Sequence, residues 1–131
     1  KLIEGEICSL ADSRSTDQQL DQLEEIVEQQ ERVTEYAEEY LQLDSLFHKS
    51  LGEISGNPFL ARASQSLNVL GIEFRTKAAR TKDTPERSIR DHYAILKAIR
   101  AKDPEAARKT MVAHMDQVMT STNNVLVSKD G

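Results

Sequence analysis

The three prolines of this 131-residue chain mark where helices begin. Each proline follows a residue whose side chain can cap a helix, in the pairs Asn57-Pro58, Thr84-Pro85 and Asp103-Pro104. Proline is favoured at the first helical position, where its missing N–H is not needed, and Asn, Thr and Asp are favoured immediately before it. The three pairs therefore predict the starts of three helices in the second half of the chain.

Apolar residues recur every three or four positions through almost the whole chain, as on one face of an α-helix. The best-patterned segment runs from about Arg32 to Glu53, and its apolar face comprises Val33, Tyr36, Ala37, Tyr40, Leu43, Phe47 and Leu51. Gly56 can end this helix in the left-handed conformation. The same spacing predicts a first helix over residues 2–13 and a second that begins after Thr16 as its N-cap. A fourth helix is predicted from Pro58 to about Arg80, with Leu60, Ala63 and Leu67 buried. The last two are predicted to begin at Thr84 and at Asp103.

The fold class follows from this pattern and from the residue types. Charged residues make up 30% of the chain, and Glu, Gln, Leu, Ala, Lys and Arg, which are good helix formers, dominate it. No segment alternates convincingly as a strand, and we find neither an internal repeat nor an interdomain linker. We predict an all-α, antiparallel bundle of about six helices, formed by residues 1–131 as a single domain.

Charge and cysteine content exclude several classes of function. The net charge of −5 has the wrong sign for a chain that neutralises many phosphates, so direct binding of nucleic acid is not expected. Cys8 is the only cysteine and cannot form an internal disulfide, and no apolar run approaches the ~20 residues that cross a bilayer. We expect a cytoplasmic protein without membrane contact. Because Lys1 already lies in an amphipathic pattern, we interpret the chain as a fragment of a longer protein.

Asp44 and His48 are the first candidate ligand pair. Residues four apart lie on the same side of a helix, close enough to hold one cation. Asp44 falls in the middle of the apolar face of its helix, and His48 falls at the edge of that face. A carboxylate at such a position is costly unless it is paired or bound to a metal.

The two other histidines, His92 and His114, also lie on the apolar faces of their helices. An apolar face takes roughly three positions in seven, so four polar residues rarely reach such faces by chance. Antiparallel packing could bring Asp44, His48, His92 and His114 to one level of the bundle. Three imidazoles and one carboxylate suit zinc, nickel, iron, manganese or copper rather than calcium.

Other interpretations remain open at this point. A single inward histidine is usually a hydrogen-bonded core residue, and Asp44 could be a buried partner of Arg75. A metal with four protein ligands could be structural, or it could keep positions open for sensing or catalysis. The chain could thus be a sensor, a His-rich metal-dependent enzyme, or a structural dimerisation module with a polar core. Against an enzyme, we find no second group of catalytic residues: Glu53 and Glu73 could be suggested as general bases, but neither lies in a motif.

Several motifs, in order, resemble those of one known domain family. These motifs are Ile7 through Arg14, Leu43-Asp44-Ser45-Leu46-Phe47-His48, Ser55-Gly56-Asn57-Pro58-Phe59-Leu60, His92-Tyr93-Ala94-Ile95-Leu96-Lys97-Ala98-Ile99, Asp103-Pro104-Glu105-Ala106-Ala107 and Met111-Val112-Ala113-His114-Met115. With them, nearly the whole chain resembles the effector-binding C-terminal domain of the FadR branch of GntR-type transcription regulators, the FCD domain.

The resemblance implies a site and a function. It assigns Asp44, His48, His92 and His114 to a divalent metal, with zinc or nickel as the expected ions, and the open positions of the metal to water or a small carboxylate effector. Arg75, near Ser64 and Gly71 along the predicted helix, is the candidate for holding the anion. The resemblance also implies a homodimeric regulator that reads DNA through an N-terminal winged helix-turn-helix. Nothing in these 131 residues could be that module.

Overall fold

The computed structural model describes residues 2–79 and 84–130, with the side chains of residues 2–69, 76 and 85–120. The described residues form six α-helices and no strand: α1 (Leu2–Arg14), α2 (Asp17–Glu31), α3 (Ala37–Ile54), α4 (Pro58–Ala79), α5 (Thr84–Arg100) and α6 (Pro104–Asp130). The predicted all-α bundle of about six helices is confirmed. None of the helices in this part combines the length and the apolar character that a bilayer span requires.

Helices that follow each other in the chain are neighbours in three cases. Short turns join α2 to α3, α3 to α4 and α5 to α6, and each of these pairs packs side by side. In contrast, α4 and α5 barely touch, and α1 packs mainly along α6 and α3. Aromatic side chains of α3 contact side chains of α5 and α6 in the middle of the bundle, and α2 packs on α3 and α5 at one side.

The core receives side chains from the apolar faces that the sequence pattern predicts. Burying one such side chain stabilises the fold by about 1.5–3 kcal/mol relative to leaving it exposed. Among the described residues, the large apolar side chains that are no more than 1% exposed are Leu20, Leu23, Val27, Phe47, Leu51, Ile95, Ile99 and Met111.

Three of the predicted helix starts, those capped by Thr16, Asn57 and Asp103, are confirmed by hydrogen bonds. The helix α5 begins at Thr84, whose side chain lies outside the described residues. Thr16 and Gln19 form a reciprocal capping box, in which the Thr16 hydroxyl accepts from the Gln19 N–H at 3.2 Å. The Asn57 side chain accepts from two backbone N–H groups at the start of α4, and the Asp103 side chain accepts from the Ala106 N–H at 3.0 Å. These bonds satisfy N–H groups that have no partner inside the helix.

The predicted start of α3 near Arg32 is wrong, because α3 begins at Ala37. The N–H of Arg32 caps the end of α2, and the N–H groups of Val33 and Tyr36 close turns on preceding carbonyls. A continuous helix could not fold back to place the apolar faces of α2 and α3 in the same core. The chain therefore reverses here, although the segment contains neither glycine nor proline.

Two apolar residues that were predicted to be buried are exposed. Tyr36 precedes α3 and is 61% exposed, because the chain is still turning at this residue. Leu67 of α4 is 43% exposed. The helical period identifies an apolar face, but the packing of neighbouring helices decides how much of its flank is covered.

Candidate metal centre

Three histidines from three helices converge in the middle of the bundle. One ring nitrogen each from His48 of α3, His92 of α5 and His114 of α6 lie within 4.8 Å of one another. The ring centroids are 4.8 Å apart for His92 and His114, 5.5 Å for His48 and His92, and 5.7 Å for His48 and His114. These three nitrogens could hold one metal ion.

The site is enclosed on the His92 side and reaches the surface beside His48. His92 is fully buried, and its ring stacks on Phe47 with the centroids 4.1 Å apart. The His48 side chain is 12% exposed and lines a pocket of about 410 Å³ between α3 and α4. Polar side chains of both helices, including Lys49, Ser64 and Asn68, line the same pocket. One histidine thus joins the buried centre to a space that a small molecule can enter.

Asp44 lies against two of the three histidines. Its Oδ1 atom is 3.5 Å from Nε2 of His92 and 3.7 Å from Nε2 of His48. The carboxylate is buried on the inner face of α3, as the helical spacing predicts. The compact group of ligand atoms comprises the three histidines, with the Asp44 carboxylate beside it.

Asp91 orients the ring of His114. Its Oδ2 atom lies 3.0 Å from Nδ1 of His114. A carboxylate accepts hydrogen bonds, so the Nδ1–H of His114 donates to it; in the neutral form of the ring, Nε2 then carries the lone pair. Partners of this kind commonly orient histidines that bind metals and raise the basicity of the ligand nitrogen.

The ring of His92 contacts Gln30 of α2. Its Nδ1 atom is 2.9 Å from Oε1 of Gln30, and the Gln30 amide donates in turn to the carbonyl of Tyr40 at 3.5 Å. Gln30 is fully buried, although it is polar.

The electrostatics of His92 suit a metal ligand. Burial lowers the pKa of His92 well below its ordinary value, and the neighbouring His114 and His48 lower it further. The neutral imidazole, which is the form that binds metals, is therefore favoured. Within the described part of the chain, Nε2 of His92 is buried and has no hydrogen-bond partner. A buried polar atom without a partner is costly, and a metal bound to Nε2 would remove that cost.

The sequence analysis missed Gln30 and Asp91. Gln30 follows Leu20, Leu23 and Val27 at helical spacing, so its place on the apolar face of α2 was a readable signal. Asp91 carries no such signal, because it directly precedes His92 and contacts a different helix. The predicted anion contact, Arg75, lies in α4, but its side chain is outside the described residues.

The described residues form a helical bundle in which three histidines and a carboxylate lie together, a group that could hold a metal ion. Residues 1–117 match the family model of the FCD domain, and the chain belongs to this family. The resemblance that the sequence motifs indicate is thereby confirmed.

Curated relatives of the chain are described as HTH-type transcriptional repressors named NanR. The protein of Citrobacter rodentium (strain ICC168) is 28% identical over 123 residues, which cover 88% of this chain and 45% of the repressor. That of Cronobacter sakazakii (strain ATCC BAA-894) is 27% identical over 120 residues, which cover 90% of this chain and 46% of the repressor. The chain thus spans less than half the length of these relatives.

Solved structures share the fold. E. coli McbR/YncC superposes with a TM-score of 0.82 at 23% identity, over 93% of this chain and 59% of that chain. Streptococcus agalactiae GntR superposes with a TM-score of 0.72 at 32% identity, over 92% of this chain and 54% of that chain. The first likeness concerns the fold alone.

Proposed function

We propose that this chain is the ligand-sensing domain of a GntR-type transcription regulator and that it binds one divalent transition metal. His48, His92 and His114 would supply the imidazole ligands, and Asp44 the carboxylate. The observation that carries the proposal is the convergence of three histidine nitrogens from three helices within 4.8 Å. The buried Nε2 atom of His92, which has no hydrogen-bond partner among the described residues, supports the same proposal.

The donor set favours a particular class of metal. Imidazole nitrogens suit zinc, nickel and similar ions, whereas calcium takes oxygen ligands. We therefore propose zinc or nickel. A purely structural polar core is less well supported, because in the described structure Nε2 of His92 makes only a long contact of 3.5 Å with Oδ1 of Asp44 and no hydrogen bond of ordinary geometry.

The charge of the loaded centre favours an anionic effector. Neutral histidines add no charge, so a divalent ion and the Asp44 carboxylate together would carry one net positive charge, with the Asp91 carboxylate on the far side of the His114 ring. A small organic or sugar acid could enter through the pocket beside His48, where Lys49 adds a second positive charge. Arg75 remains the proposed additional contact for the carboxylate.

The regulatory role is proposed from the family and from the relatives. We propose that the full-length protein is a cytoplasmic homodimer that contacts DNA through an N-terminal domain absent from this sequence. An effector that binds one arrangement of helices better than another would shift the equilibrium between them. The DNA-binding domains would respond to that shift.

The first test is elemental analysis of protein purified without chelator or affinity metal. We expect about one equivalent of a transition metal per chain, by the site geometry. A His48→Ala/His114→Ala double variant should lose it, because two of the three imidazoles are removed. A Lys49→Ala variant is the matched control, since Lys49 directly follows His48 and lines the same pocket but is not a proposed metal ligand.

The metal proposal fails if the wild-type protein contains no metal and takes up neither added zinc nor added nickel. It also fails if the double variant retains the metal of the wild-type protein, because the ion would then be bound elsewhere.

A further inference from the structure

Gln30 is a fully buried amide on a helix that supplies none of the proposed metal ligands. Its side chain reaches from α2 to two other helices: Oε1 lies 2.9 Å from Nδ1 of His92 in α5, and Nε2 donates to the Tyr40 carbonyl of α3 at 3.5 Å. Burying a polar amide is favourable only when its groups are hydrogen-bonded, so these contacts fix its position.

The contact with Tyr40 determines which way the amide faces. A backbone carbonyl can only accept a hydrogen bond, so the nitrogen of the Gln30 amide faces Tyr40 and the oxygen faces His92. The oxygen can only accept, and the Nδ1–H of His92 must therefore donate to it. In a neutral imidazole the other nitrogen, Nε2, then carries a lone pair.

The alternative tautomer of His92 has a competing acceptor. With the proton on Nε2, the ring could donate to Oδ1 of Asp44, which lies 3.5 Å away. That bond would use both the lone-pair position of His92 and one oxygen of Asp44, which are the atoms that a metal would need. The two tautomers thus correspond to a metal-competent arrangement and a closed one.

Gln30 also holds the part of α3 that carries Asp44. Tyr40 precedes Asp44 by one helical turn, and in a regular α-helix the carbonyl of residue 40 also accepts from the N–H of residue 44. One amide therefore contacts the ring of one proposed ligand and the helical turn that presents another.

We propose that Gln30 is a positioning residue for the metal centre: by accepting the Nδ1–H of His92, it keeps Nε2 of His92 open to a metal and separate from Asp44. The inference rests on the proposed function. It makes α2 a part of the centre although α2 contributes no ligand.

The test compares two substitutions of Gln30. Gln30→Met keeps the length of the side chain but removes the acceptor, whereas Gln30→Glu keeps an acceptor for His92 and loses the donor to Tyr40. Gln29→Met is the matched control, because Gln29 is the exposed neighbour on the same helix. Zinc affinity is measured by competition with a chromogenic chelator, and the tautomer of His92 by ¹⁵N NMR of its ring in metal-free protein.

We expect zinc to bind about 10–100-fold more weakly to Gln30→Met, as for the loss of other residues that orient metal ligands. Gln30→Glu and Gln29→Met should bind zinc within a few-fold of wild type. In metal-free wild-type protein the proton of the His92 ring should lie on Nδ1, and in Gln30→Met it should move towards Nε2.

The proposal is overturned if Gln30→Met binds zinc like wild type, or if the His92 proton of the metal-free wild-type protein lies on Nε2. If Gln30 has a purely structural role, both Gln30 variants should melt at a lower temperature and the tautomer of His92 should not change. That result would also overturn the proposal. If wild-type protein takes up neither zinc nor nickel, the proposed function fails. The tautomer in metal-free wild type and Gln30→Met still decides whether Gln30 positions His92.

Discussion

At the scale of single residues, His92 combines complete burial with polar contacts on both sides of its ring. Its Nδ1 atom faces Gln30, its Nε2 atom faces Asp44, and Phe47 stacks against its face. Burial is the main cause of its lowered pKa. The same burial that keeps the ring neutral for a metal makes its protonation costly in the folded protein.

This lowered pKa makes the stability of the metal-free protein depend on pH. Below the ordinary histidine pKa of about 6.5, the unfolded chain takes up a proton at His92 that the folded chain does not, so stability falls as the pH falls. One proton corresponds to at most about 1.4 kcal/mol of unfolding free energy per pH unit. Urea unfolding at several values of pH between 7.5 and 5 measures this slope.

The control for this dependence is a His92→Gln variant, in which the titrating group is replaced by a neutral one. In this variant, the change of unfolding free energy with pH should be smaller than in wild type by up to about 1.4 kcal/mol per pH unit, which is the contribution of one proton. Equal slopes in the two proteins would show that His92 does not contribute.

At the scale of elements, two glycines near the end of α3 have opposite roles. Gly56 follows the helix with φ of +71°, the left-handed conformation that the sequence predicts. Gly52 lies inside α3, where an added Cβ would be 3.4 Å from the Cα of Ala61 in α4, an ordinary contact. Of these two positions, only position 56 requires glycine, because its φ is positive.

We expect Gly56→Ala and Gly52→Ala to change stability in opposite directions. A side chain at position 56 costs about 1–2 kcal/mol in the left-handed conformation. It would also lie 2.8 Å from the guanidinium of Arg14, which donates to the Ser55 carbonyl. At position 52, alanine favours the helix by about 0.5–1 kcal/mol and meets no obstruction. Chemical unfolding measures both changes, and a stabilised Gly56→Ala would contradict this reading of the turn.

At the scale of the whole molecule, the proposed centre joins the helices that form the middle of the bundle. The histidines come from α3, α5 and α6, and α2 reaches the same point through Gln30. A metal at this centre would therefore link three helices directly, and α2 through the contact of Gln30 with His92. Anything that binds the folded state alone stabilises it in proportion to the logarithm of its concentration.

We therefore expect small carboxylates to stabilise only the metal-loaded protein. Citrate, malate, gluconate and glucuronate serve as probes, and glucose as the uncharged control. A carboxylate at 100 times its dissociation constant would add about 2.7 kcal/mol, which a thermal melt detects as a clear rise. Equal shifts with and without metal would place the carboxylate away from the centre, and no shift with any acid would remove the support for carboxylate sensing.

Much of this protein is determined locally by its sequence. The capping pairs Asn57-Pro58 and Asp103-Pro104 and the left-handed Gly56 depend on near neighbours, so their turns could be predicted without the fold. Helical spacing likewise indicates that Asp44, His92 and His114 point inward, because the period of a helix alone decides which residues share a face.

Only the tertiary structure decided which inward groups meet. The reversal between α2 and α3, the contact of Asp91 with His114 and the reach of Gln30 to His92 depend on how whole helices pack, and no local rule encodes them. A hydrogen bond between helices requires a match within a few tenths of an ångström, which sequence spacing cannot define. The sequence therefore indicated the candidate ligands, whereas the packing supplied the partners that orient them.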